Sequence, residues 1–194
     1  MHAEHLDLAT LATHPWKNGL GSTQQLAIYP CDASLEDFGW RISCAQVTHP
    51  GPFSAFPGVD RSLAVLSGDG MELYDAQKKI TLRPCSSPAS FPGEVPIRAS
   101  LVGSKITDFN LMTRRGLFSH TLQHRHLAGQ EQIAPLADNL LIWCNTGTLD
   151  YNTMDGSLSG SLRTDQGLLV TNLATPLKLR ATHACLYIAE IHAS

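Results

Sequence analysis

Two groupings of residues in this chain have the makings of a chemical site. The first combines imidazole with carboxylate: His124-Arg125-His126, with Glu131 five positions after His126. Imidazole pairs followed by a carboxylate suit divalent iron, manganese, nickel or zinc. The pair falls before Ile133-Ala134-Pro135, in an expected connection between the two halves of the chain, and the later run Leu168 to Thr171 supplies no third histidine, so the alternative is a solvated basic stretch that also includes His120. The second grouping combines guanidinium, amide and aromatic side chains: Trp16-Lys17-Asn18-Gly19, Trp40-Arg41, Asp60-Arg61, Asp108-Phe109-Asn110 and Arg114-Arg115. Arginine holds carboxylates through planar, charge-assisted and often bidentate hydrogen bonds. Asparagine donates and accepts at once, which suits an amide, formyl or formimino group. For each arginine the alternative is a surface or rim salt bridge.

The elements that must position these residues are β-strands. Glycine (15) and proline (11) punctuate the 194-residue chain at short intervals, and the segments between them are brief, β-branched or aromatic, and partly alternating. Strands are predicted over Trp40 to Val47, Lys79 to Leu82 and Ile106 to Thr113, with a hairpin of Leu63 to Leu66 and Met71 to Tyr74 around Ser67-Gly68-Asp69-Gly70. Further strands are predicted over Asn139 to Cys144, Thr148 to Asn152, Ser159 to Leu162, Leu168 to Thr171, Leu177 to Arg180 and Ala184 to Ile191. Very little helix is expected. Alternation along a strand places Arg41, Ser43 and Ala45 on one face, and Asp108, Asn110 and Met112 on one face.

Composition narrows the function classes. A hydrophobic fraction of 43% and a charged fraction of 16% predict a folded domain rather than a disordered chain. The formal net charge of -3, with no long basic run, excludes a nucleic-acid footprint. Apolar runs such as Leu140 to Cys144 are far shorter than the ~18–20 residues of a membrane span. The N-terminus has no secretory pattern, so the expected location is the cytoplasm. Five widely spaced cysteines without a CxxC argue against a disulfide framework and a structural zinc site, and all five are expected as reduced thiols.

Two matches in order point to a duplicated β-sandwich unit, the alternative being two unrelated hairpins with common turn residues. Leu63 to Asp75 aligns without gaps on Leu140 to Asn152, and Leu82-Arg83 followed by Pro96-Ile97 has a counterpart in Leu162-Arg163 followed by Pro176-Leu177. The expectation is an all-β chain of two jelly-roll halves, residues 1–115 carrying a ligand pocket and residues 116–194 mainly structural, with equivalent hairpins at Gly68-Asp69-Gly70 and Asn145-Thr146-Gly147.

Four segments together then resemble a known family. Trp16 to Thr23, Phe38 to Ser43, Gly51 to Arg61 and Asp108 to Arg115 are similar to successive signatures of the HutD/Ves family, across the first ~115 residues. The resemblance implies a two-cupin, RmlC-like fold without the usual cupin metal ligands, and a binding or regulatory role near bacterial histidine utilisation and stress response. The expected function is non-enzymatic binding of a small carboxylate, of the acylated glutamate or urocanate class, in the first half. Expected ligand-binding residues are Trp16, Lys17, Asn18, Arg41, Phe53, Asp60, Arg61, Phe91, Asn110 and Arg114. No metal, cofactor, nucleic-acid or membrane partner is expected, and a homodimer is compatible with the sequence. The rival readings are a metal-dependent cupin enzyme using His124, His126 and Glu131, and an interaction protein with a vestigial cavity.

Overall fold

The computed structural model describes residues 1–16, 19–76 and 78–194. Its first eleven strands are β1 (His2–Asp7), β2 (Thr13–Pro15), β3 (Gly21–Tyr29), β4 (Trp40–Val47), β5 (Gly51–Pro52), β6 (Val59–Ser67), β7 (Met71–Tyr74), β8 (Lys79–Leu82), β9 (Ala89–Pro92), β10 (Arg98–Leu101) and β11 (Ile106–Arg114). Five follow: β12 (Phe118–Ile133), β13 (Asn139–Thr153), β14 (Ser159–Arg163), β15 (Gln166–Thr171) and β16 (Leu177–Ala193). The helical content of the described residues is one 3-10 turn, Leu8–Thr10. No helix among them is long and apolar enough to cross a membrane.

The chain divides into two compact units, Leu11–Ser119 with Ser194, and Met1–Thr10 with His120–Ala193. In the first unit, one sheet has the order β2-β3-β4-β11-β6-β9 and the other β5-β10-β7-β8. Inward residues of both sheets, among them Val47, Leu63, Val65, Met71, Leu73, Leu82 and Ile106, form one apolar cluster. Each such burial contributes about 1.5–3 kcal/mol. In the second unit, the order is β1-β15-β13-β16-β12, with β14 also on β13. Its core gathers Leu140, Ile142, Cys144, Leu149, Leu168, Val170, Leu179, Leu186 and Ile188. Along β13 the run Leu140 to Cys144 is buried on both faces of the sheet, whereas Thr148 to Thr153 alternates.

Neither expected hairpin forms. At Ser67–Gly70 the chain leaves β6 in one sheet and enters β7 in the other. At Asn145-Thr146-Gly147, β13 continues unbroken, with its register against β16 shifting there. Both places turn on a glycine in left-handed backbone. Gly68 has φ 95° and a Cβ would meet the Lys105 carbonyl oxygen at 2.4 Å; Gly147 has φ 95° and a Cβ would meet that of His183 at 2.3 Å. The short polar links mimic turns, but each is a switch between pairing partners.

Register relates the two units more accurately than the gap-free alignment. Val65 opposes Asp108 just before the bulge in β6, and Cys144 opposes Leu186 just before the equivalent bulge in β13. Val65 therefore matches Cys144, a slip of two residues from the sequence alignment. Such a slip keeps every side chain on its own face. On this register Arg61, Asp108 and Asn110 correspond to Leu140, Leu186 and Ile188 of the second unit.

Two other expectations are corrected. Cys31, Cys44 and Cys144 are thiols, but Cys85 and Cys185 are each disulfide-bonded. His124-Arg125-His126 lies inside β12, a mostly polar strand, rather than in a connection.

Candidate functional site

The first unit holds a cavity of about 670 Å³ that opens to the surface. Its polar wall comes from the central strands β4, β11 and β6, whose register aligns side chains in rows. Met112 of β11 opposes Arg41 of β4 on one side and Arg61 of β6 on the other. In the next row Asn110 opposes Ser43, which in turn opposes Gln25 of β3; in the one after, Asp108 opposes Ala45. Because side chains alternate, all of these point to the same face. Phe53, Phe56, Trp16, Pro15, His14 and His49 complete the lining beside them.

The polar residues form two hydrogen-bonded groups. Asn110 Oδ1 accepts from Arg61 Nε at 2.8 Å and also from Arg61 Nη2, while Asn110 Nδ2 donates to Asp108 Oδ1. The carboxylate, amide and guanidinium thus form one chain. Arg41 donates from Nε to Gln25 Oε1 at 3.0 Å and from Nη1 to Ser43 Oγ at 3.1 Å. The Arg61 guanidinium also lies 4.3 Å from the Phe53 ring centre and 5.7 Å from that of Phe91.

Burial governs the electrostatics. Arg61 and Asp108 are 6% and 1% exposed. Desolvation brings the Arg61 guanidinium down to about 10, Asp108 opposes that fall and Arg41 adds to it. Desolvation likewise lowers Arg41. The same burial pushes the Asp108 carboxyl up to about 7, against the pull of Arg61, the Ala45 N–H and the Asn110 amide. Both guanidiniums stay charged at neutral pH, with one carboxylate to offset them. The cavity therefore has an excess of positive charge held out of water, and an anion is the ligand that relieves it.

The expected residues divide by position. Trp16, Arg41, Phe53, Arg61 and Asn110 line the cavity. Asp60 and Arg114 stand apart from that lining. Asp60 follows strand alternation away from Arg61, and its carboxylate accepts from Arg115 Nε at 3.0 Å. Arg114 donates from Nε to the Phe38 carbonyl at 3.0 Å and from Nη2 to the Glu36 carbonyl at 2.7 Å, so it secures the segment before β4. Phe91 sits behind Arg61 and lines a smaller cavity of about 120 Å³. Lys17 and Asn18 lie outside the described residues. Asp108, Gln25 and Ser43 belong to the polar wall but were not among the expected ligand residues. The shared face of Asp108 and Asn110 was the signal for the first, and the position of Ser43 two residues after Arg41 was the signal for the last.

The rival metal set does not converge. Glu131 pairs with Arg125 at 3.6 Å, His126 packs on His183 with ring centres 4.2 Å apart, and His124 Nε2 lies 3.3 Å from Cys185 Sγ. His124, His126 and Glu131 are not a group able to share one ion among the described residues.

Comparison with known proteins places this architecture. The family model described as HutD matches residues 8–187. An uncharacterised 21.2 kDa protein in the hutC 3' region of Pseudomonas putida is 42% identical over 99 residues, 50% of this chain and 51% of that protein. Protein Ves of Cronobacter sakazakii is 35% identical over 113 residues, 58% of this chain and 61% of Ves. The matched stretches thus span less than two thirds of either relative.

Among solved structures, the conserved protein of unknown function PA5104 from Pseudomonas aeruginosa PAO1 superposes with a TM-score of 0.90 at 28% identity, over 99% of this chain and 100% of that one. HutD from Pseudomonas fluorescens SBW25, solved in a formate condition, gives 0.84 at 26% identity over the whole of both chains. A cupin 2 conserved barrel domain protein from Leptotrichia buccalis, with a TM-score of 0.62 at 9% identity over 98% of this chain and 96% of its own, shares the fold. The all-β architecture is a cupin fold.

Proposed function

This chain belongs to the HutD family, and from that premise we propose that it is a non-enzymatic binding protein whose first-unit cavity takes a small carboxylate of the acylated glutamate or urocanate class. The observation that carries this reading is the row Arg41-Met112-Arg61: two buried guanidiniums on one cavity face, with Asp108 as their buried counter-charge. A ligand carboxylate docks between the two guanidiniums through charge-assisted bonds. Trp16, Phe53 and Phe56 supply the apolar walls that a compact organic acid needs besides its charged end. The Asn110 carbonyl is already committed to Arg61. Its role is to aim the guanidinium, and the Gln25 and Ser43 side chains do the same for Arg41.

The second unit supports this division of labour, because Leu140, Leu186 and Ile188 fill the positions of Arg61, Asp108 and Asn110 and are part of an apolar core. The hutC-region relative supports a role close to histidine utilisation. The test is calorimetric titration with N-formylglutamate, formiminoglutamate, glutamate and urocanate. Binding of at least one with a Kd under about 1 mM, equivalent to ~4 kcal/mol, is the expected outcome. If none binds in that range, the interaction-protein reading replaces this one.

A further inference from the structure

We propose that Asp108 is the proton acceptor of ligand binding: an anion settles against Arg41 and Arg61, and the Asp108 carboxylate takes up a proton as it does so. The inference rests on the carboxylate-binding reading and deepens it by giving the cavity a pH-dependent occupancy.

The geometry leads there because Asp108 is almost wholly buried and has only indirect compensation. It is 1% exposed and points into the same cavity as both arginines. Its partners are the Asn110 amide and the Ala45 backbone N–H, and Arg61 reaches it only through Asn110. An ionised Asp108 therefore relies on the two guanidiniums for its charge balance. A ligand carboxylate draws on the same two groups, and two anions close together beside buried side chains repel each other. The proton resolves the conflict. A neutral Asp108 still accepts from Asn110 through its carbonyl oxygen, so the hydrogen-bonded chain to Arg61 survives. The carboxyl already stands near neutrality before any ligand enters, since burial holds it well above the ordinary carboxylate range.

Among the described residues, the charged and titratable groups that share the cavity with Asp108 are Arg41 on β4, Arg61 on β6, His14 on β2 and His49 after β4. The facing residues of β3 and β10, Thr23, Gln25 and Ala99, carry no charge. Only the two histidines could mimic the effect, and the test separates them.

N-formylglutamate is titrated at pH 8 in triethanolamine and in Tris, two cationic buffers whose ionisation enthalpies differ; its own carboxylates are ionised throughout. The expected result is a buffer-dependent heat that reports net proton uptake, and an affinity falling about tenfold from pH 8 to pH 9. In Asp108→Asn, the uptake disappears and the affinity changes less than threefold over the same interval. Should that variant misfold, the double variant His14→Gln/His49→Gln decides, because the uptake is expected to persist in it. Identical wild-type heats in both buffers, an undiminished pH slope in Asp108→Asn, or loss of uptake with the histidines overturns the assignment while leaving carboxylate binding intact. No binding of N-formylglutamate, formiminoglutamate, glutamate or urocanate under any condition overturns the binding reading itself.

Discussion

Arg41 and Arg61 stand in one row across the sheet, separated only by Met112, although they are twenty positions apart in the chain and on strands that do not pair with each other. Each guanidinium is held from behind, Arg41 by Gln25 and Ser43 and Arg61 by Asn110. Like charges in such proximity destabilise the empty cavity and favour an anion between them.

Replacing Arg61 is expected to separate charge from geometry. Arg61→Ala weakens carboxylate binding by roughly 2–5 kcal/mol, the range for removing one partner of a desolvated charge pair. Arg61→Lys also loses affinity, because an ammonium cannot present a planar fork to Asn110 and the ligand together. Calorimetry on both variants checks this, and unchanged affinity in Arg61→Ala refutes the pocket assignment.

Asp108 also makes stability depend on pH. Its carboxyl is raised from the model-peptide value of 3.8 to about 7 in the fold, so the folded chain binds more protons than the unfolded one between those values. Stability therefore falls as pH rises from about 4 towards and through 7. The expected observation is a Tm of the ligand-free protein that declines between pH 5 and pH 8. Asp108→Asn flattens this decline, and equal slopes in the two proteins count against the assignment.

The two switch glycines should be intolerant of a side chain. Gly68→Ala and Gly147→Ala each force a Cβ against a backbone carbonyl in left-handed backbone, at an expected cost above ~2 kcal/mol. Gly156 has φ 71° but nothing within 4 Å of a Cβ, so Gly156→Ala costs only the backbone preference of about 1 kcal/mol. Denaturant midpoints of the three variants give the ranking, which fails if Gly156→Ala is as damaging as the other two.

Metal removal is expected to change nothing. With Glu131 on Arg125 and His126 on His183, chelation by EDTA should shift neither the Tm nor carboxylate affinity. A stoichiometric metal in untagged protein, lost when His124 and His126 become alanine, would revive the enzyme reading.

Much of the fold was legible because the central strands are apolar and alternate: β4, β7 and β8 occupy their expected ranges, and β11 extends by one residue. Thr148 to Asn152 was read apart from Asn139 to Cys144, because Asn145-Thr146-Gly147 looks locally like a turn. The polar β12 was missed altogether, since Gln123, His124, Arg125 and His126 lack the apolar signature by which strands are read. At the site, strand parity brought Arg41, Ser43, Asp108 and Asn110 to the correct face. Parity says nothing about neighbours across a sheet, and the Arg41-Met112-Arg61 row follows only from register. Asp60 and Arg114 misled because proximity in sequence to Arg61 and Asn110 is not proximity in the cavity.

The pairing of β1 with β15, from His2 opposite Thr171 to Asp7 opposite Gln166, has a consequence for the birth of the protein. On the ribosome β1 emerges first, yet its partner strand comes some 160 residues later, which at about 5–20 residues per second is a wait of roughly 8–30 s. Leu11–Ser119 can close upon itself during that interval, whereas the sheet containing β1 must wait for its late strands. The Leu11–Ser119 unit can thus be complete on a nascent chain in which β1 still lacks its partner.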